Sequence, residues 1–142
     1  MEMEKIKKWL RDEQGRLYAE AQAQADRFWA EKHKRRTSEE DQGRFGIRVK
    51  CRVAGISIQW FRIGCYQSTG GEGDWKPLFR SLSRGAGNRY SLAKFRKAKD
   101  WELRHIEDME RVFGKLRMQS DALVRIHRAV TLYEKAVNGA GG

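Results

Sequence analysis

The sequence predicts an α+β fold: a long N-terminal helix, a three-stranded antiparallel β-meander, a short helix and a long C-terminal helix, the helices packed on one sheet face. Two observations carry this. Apolar residues recur at helical spacing near both ends, and between them they alternate with period two, separated by glycine-rich turns. At 142 residues the chain suits a single domain spanning 1–142, with one modest core anchored by five Trp, six Phe and four Tyr.

The first helix is expected over about residues 3–34. Ile6, Leu10, Leu17, Ala21, Ala25 and Phe28 form a stripe widened by Trp9, Tyr18 and Trp29. TSEEDQG (37–43) ends it with turn formers. Phe45, Ile47, Val49, Cys51 and Val53 then alternate with Arg44, Arg48, Lys50 and Arg52, the cleanest strand signal in the chain. Ala54-Gly55 marks a tight turn, and ISIQWFRIGCY (56–66) is β-branched and aromatic enough for a second strand. Pairing Val53 with Ile56 sets Cys51 against Ile58 and Val49 against Trp60, with Lys50 against Gln59 and Arg48 against Phe61 on the other face. STGGEGD (68–74) reads as a loop, and WKPLFRSLSR (75–84) as a third strand, at an edge because of Pro77.

After the glycine-rich GAGNRY (85–90), Ser91 is placed to cap a short helix reaching about Lys97, and Asp100 to cap the last helix, about 100–137. Its seam is Ile106, Met109, Phe113, Leu116, Leu123 and Val130, flanked by Trp101, Ile126, Tyr133 and Val137. Trp9, Trp29 and Trp101 are expected in the core.

Charge is the main functional signal. Residues 44–99 hold 13 Lys/Arg against two acids, whereas 1–43 balance 10 against 10 and 100–142 balance 7 against 7. The whole net charge of +11 therefore belongs to the central segment, a directional field suited to a polyanion. No apolar run approaches the ~18 residues of a membrane helix, and MEMEKIKKWL is no signal peptide, so a cytoplasmic protein without a membrane partner is expected. Cys51 and Cys65 lack paired CxxC spacing and are read as buried free thiols, and no metal or cofactor is expected. Glu102 and His105 make a lone ExxH, read as surface; His127 falls on the apolar seam and is read as core. Without an informative Ser/His/Asp or Cys/His set, no enzymatic activity is expected.

Two groups of residues are candidate nucleic-acid contacts. Arg44, Arg48, Lys50 and Arg52, with Gln59, an exposed Phe61, and Lys76 or Arg80 from the third strand, would share one sheet face. There cations meet phosphates, Gln and Arg read base edges, and an aromatic stacks or wedges. Arg84, Arg89, Lys94, Arg96 and Lys97 surround the glycine-rich loop and short helix, as a clamp on a phosphate backbone. The segment lacks the GK[ST] ending of a nucleotide-binding loop.

Three stretches carry a family resemblance: LYAEAQAQADRFWAE (17–31), GRFGIRVKCRVAGISIQWFR (43–62) and YSLAKFRKAKDWELRHIEDME (90–110). Together they resemble the MobI family of conjugative transfer proteins of integrative conjugative elements and related plasmids. The resemblance implies an auxiliary DNA-binding protein at the origin of transfer, supporting mobilisation by a separate relaxase, with duplex DNA and a relaxase or other transfer protein as partners. It assigns no contact residue by residue. Two alternatives stay open. Helix, three strands, helix is also the order in double-stranded-RNA-binding domains, although the first helix here is much longer. A basic adaptor for an acidic protein surface is the other.

Overall fold

The computed structural model describes residues 2–36, 43–52, 55–67 and 75–139. Residues 37–42 of the expected 37–43 turn, Val53 and Ala54, and the expected loop 68–74 lie outside these residues, as do the side chains of Cys65, Tyr66, Gln67 and Trp75. The element order is helix α1 (Glu2–Arg35), strands β1 (Phe45–Arg52), β2 (Gly55–Gln67) and β3 (Trp75–Ser81), a single 3-10 turn (Leu92–Phe95), and helix α2 (Asp100–Gly139). The α+β class and its element order follow the sequence reading.

The apolar stripes decide how the layers meet. Leu10, Leu17, Ala21, Ala25 and Phe28 of α1 are buried, as is the whole seam from Ile106 to Val130 of α2. The two helices run antiparallel: Lys7 pairs with Glu134 at 2.7 Å, Gln14 Nε2 donates to the Ser120 carbonyl, and Phe28 meets Trp101 with ring centroids 5.9 Å apart. Both lie over the side of β1 and β2 that carries Phe45, Ile47, Val49, Ile58 and Trp60. Trp60 is fully buried, with edge-on contacts to Phe28 and Phe95 at 5.2 and 5.5 Å. The 3-10 turn replaces the longer helix expected to Lys97; its cap is Ser91, whose Oγ accepts from the Ala93 amide at 3.3 Å.

The sheet order is β1-β2-β3, both pairs antiparallel. The hairpin register differs by two residues from the expected one. Arg52 pairs with Gly55, Cys51 with Ile56, Val49 with Ile58, Ile47 with Trp60 and Arg48 with Gln59. A shift of two keeps every side chain on its face and changes only its partners. A tertiary contact explains it. Gly55 has φ +101°, a Cβ there would lie 2.6 Å from Ser120 Oγ, and that hydroxyl accepts from the Ile56 amide at 3.0 Å. Gly55 is thus the first paired residue of β2, docked on α2.

Two buried carboxylates tie α2 to the sheet, and neither was expected. Glu102, read as surface, is fully buried. It accepts from the amides of Arg44 and Phe45, and its Oε1 also accepts from Lys99 N at 3.1 Å. The start of β1 and the start of α2 thus share one acceptor, and the reach back to Lys99 does the capping assigned to Asp100. Lys32, which donates to the Gly43 carbonyl nearby, has its ammonium pKa lowered by burial, against the raising pull of Glu102. Glu110, deeper in the same helix, pairs with Arg117 at 2.9 Å, and both are buried.

Other expectations fail where a layer ends. His127 sits on the α2 seam by periodicity, but the seam outruns the sheet and His127 is exposed, lining a cavity of about 380 Å³ with Leu10 and Leu123. Cys51, read as buried, is exposed on the same cavity because β1 ends beside it. Trp9 is 49% exposed. Ile126, Tyr133 and Val137 are also exposed on the last turns of α2.

Candidate nucleic-acid interface

The face of the sheet turned away from the helices is open. Alternation along β1 places Arg44, Arg48, Lys50 and Arg52 there, all exposed. Arg44 extends the ladder, its carbonyl accepting from the Ile63 amide at 2.8 Å. Among the described residues, none of these four cations has a carboxylate within 4.0 Å. Four positive side chains along one strand, without a carboxylate partner among the described residues, give this face a coherent positive field. Gln59, half-buried, stands beside them opposite Arg48.

Phe61 is on the open face but is not the exposed aromatic that was expected. It is 7% exposed and lies opposite Gly46. The missing side chain at Gly46 is why: a Cβ there would fall 2.5 Å from the Phe61 ring and 2.7 Å from Trp29. Trp29 reaches round the free edge of β1, its indole N–H donating to the Ile47 carbonyl at 2.9 Å, and covers Phe61 at 6.1 Å between centroids. The Arg48 guanidinium lies 5.3 Å from the same ring. The exposed aromatic is instead Phe79 of β3, 58% exposed and edge-on to Phe61 at 5.6 Å. Period two in WKPLFRS only puts Phe79 and Arg80 on opposite sides; which side each takes is set by the register with β2, for which there was no local signal. The wrapping of Trp29 round the sheet edge left none either.

Arg80 and Lys76 do not join this face. Arg80 pairs with Arg62 and Lys76 with Tyr66, which places both on the side of Trp60. The second basic group is also behind the sheet. Phe95 of the 3-10 turn is buried against Phe45 and Trp60, so Lys94, Arg96 and Lys97 project from the helix-side layer. Arg84 donates to the Gly87 carbonyl at 2.7 Å, and the stem of Arg89 rests on Gly114 of α2. These five residues therefore do not form one surface with the β1 cations; the sheet lies between. The reason is Tyr90, whose amide is bonded to Glu110 and whose hydroxyl donates to the Leu82 carbonyl, pulling the loop back onto the helices.

The family described as MobI protein matches residues 17–131, well over half of the chain. The chain belongs to the MobI family. Membership carries a role in conjugative mobilisation. The match takes in the open face, the buried carboxylates and most of both helices. No curated protein and no solved structure matches the chain. No described helix of this MobI-family chain is long and apolar enough to cross a membrane, and no group of three or more metal-ligating side chains occurs among its described residues.

Proposed function

We propose that this MobI-family protein is a cytoplasmic accessory factor that binds duplex DNA at the origin of transfer through the open face of its sheet, without a catalytic step of its own, while a separate relaxase performs the nicking. The observation that carries the reading is the row Arg44, Arg48, Lys50 and Arg52, without carboxylate partners among the described residues and beside an exposed Phe79. Sheets that present one face to a duplex groove are an established mode of DNA binding. On this reading the four cations neutralise phosphates, Gln59, opposite Arg48 in the ladder, meets a base edge, and Phe79 stacks or wedges at a base step. Mobilisation supplies the biological setting, and on this reading a relaxase is the protein partner.

Fluorescence anisotropy on labelled duplex DNA of the transfer origin, a scrambled duplex, single-stranded DNA and duplex RNA tests the reading. The origin duplex is expected to bind tightest and to resist scrambled competitor at 200 mM salt. Four phosphate contacts would weaken binding by roughly two decades between 50 and 200 mM salt. A preference for duplex RNA would favour shape-based RNA recognition. Binding to none of the four, with retained capture of a relaxase, would favour an adaptor.

The two aromatics of the face separate stability from binding. Phe79→Ala is expected to change unfolding free energy by no more than about 0.5 kcal/mol and to weaken duplex binding by about 1–3 kcal/mol. Phe61→Ala removes a ring packed between Trp29 and Phe79 and should cost about 3 kcal/mol of stability. Urea denaturation and anisotropy read both. Unchanged affinity in Phe79→Ala would remove that ring from the interface.

A further inference from the structure

The hairpin of β2 and β3 has a second charged side. Among the described residues β3 packs chiefly on β2 and has no extensive contact with either helix, so the helix layer that covers Trp60 thins out toward this strand. On the uncovered part of that side, Arg62 and Arg80 stand directly opposite each other in the ladder, with Gly64 and Leu78 as the neighbouring pair. The four residues line a cleft of about 230 Å³. Gly64 keeps its floor open, since a Cβ there would meet nothing nearer than the Leu78 carbonyl at 4.0 Å. Among the described residues, neither guanidinium has a carboxylate within 4.0 Å. Like charges directly across a ladder repel and lower stability. Two guanidinium forks facing one cleft are matched to a tetrahedral oxyanion, which binds both and cancels that repulsion.

The hairpin therefore carries Arg62 and Arg80 behind, while in front the guanidinium of Arg48, from the neighbouring strand β1, lies over its Phe61 ring. A major groove about 12 Å wide admits a two-stranded ribbon, and its two walls are the phosphate rows of opposite strands. We propose that Arg62 and Arg80 form a phosphate site on the reverse face, taking the backbone of one DNA strand while the open face takes the other, so that the β2–β3 ribbon enters the groove. This rests on the DNA reading above for its ligand, whereas the cleft itself is testable alone.

The test uses the full chain and the Arg62→Gln/Arg80→Gln double variant. Inorganic phosphate is titrated at constant ionic strength against chloride, following the arginine Nε–H resonances by NMR. The Arg62 and Arg80 signals are expected to shift selectively and saturably. The double variant should fold with an unchanged or raised Tm. Ethylation interference on the origin duplex should show phosphates on both strands flanking one groove for the wild type. In the double variant it should keep one strand only, with the salt slope lowered by about 1.8. Shifts no different from those of other exposed arginines would overturn the site. Selective phosphate binding with an unaltered interference pattern would overturn its assignment to DNA. Wild-type protein that binds no duplex would overturn both that assignment and the DNA reading, and the phosphate titration would still decide whether the cleft is a site.

Discussion

Glu110→Ala is expected to cost about 3–5 kcal/mol of unfolding free energy. The carboxylate accepts from Trp60 Nε1 at 2.9 Å, the Tyr90 amide at 2.6 Å and both terminal nitrogens of Arg117 at 2.9 and 3.2 Å. Arg117, 4% exposed, also donates to the carbonyls of Asn88 and Ile58 and lies between the Tyr90 and Phe113 rings. Removing Glu110 strands a buried cation together with an indole N–H and a backbone amide, each costly without water or a partner. Removing both charges is a different matter, because a buried ion pair often contributes little against an apolar pair of similar volume. Glu110→Gln with Arg117→Met should therefore be less damaging than Glu110→Ala alone. Urea denaturation of the wild type and the two variants checks this; a loss below about 1 kcal/mol in Glu110→Ala would mean that the network is not held as described.

The network also explains how the interface is presented. Its bonds join α2 to Trp60 and Ile58 on β2 and to the loop before the 3-10 turn. The back of β2 is clamped to α2, and the front of the sheet is left bare with its cations aligned. Burial on one side is what frees the other.

Alternation made the faces of β1 legible, and helical spacing the seams of both helices, because both signals record which side is dry. Register was not legible, since period two is blind to a shift of two. The contact that sets it, Gly55 on Ser120, joins residues 65 positions apart. Phe61 was rightly placed on the open face but its burial was not foreseen, because the shield is Trp29 from a helix on the other side. Arg80 was assigned the wrong side, since the face of β3 depends on its register with β2. Glu102, Glu110 and Arg117 interrupt the α2 seam as charges, and an apolar pattern treats such residues as surface. Apart from the Glu110–Arg117 pair itself, their partners are backbone amides, an indole and two carbonyls, which leave no trace in composition. His127 shows the converse: its place on the seam was right, and the sheet that would have covered it ends before it.

The central claim is that the β1 cations of the open face bind duplex DNA, and Arg48→Ala with Lys50→Ala addresses it most directly. Both side chains are exposed and make no ion pair with a described residue, so the double variant should keep the wild-type Tm within the small range of surface substitutions. Arg48 also covers the Phe61 ring, which is the one packing contact that the variant loses. Removing two phosphate contacts should lower the salt slope of binding by about 2 and weaken affinity on the order of tenfold or more. The measurement is the anisotropy titration of the origin duplex at several salt concentrations, wild type against double variant, with Tm in parallel. A shallower slope and weaker binding at unchanged Tm is the result this account predicts. Identical curves would contradict it and move the DNA contact, if there is one, off this face.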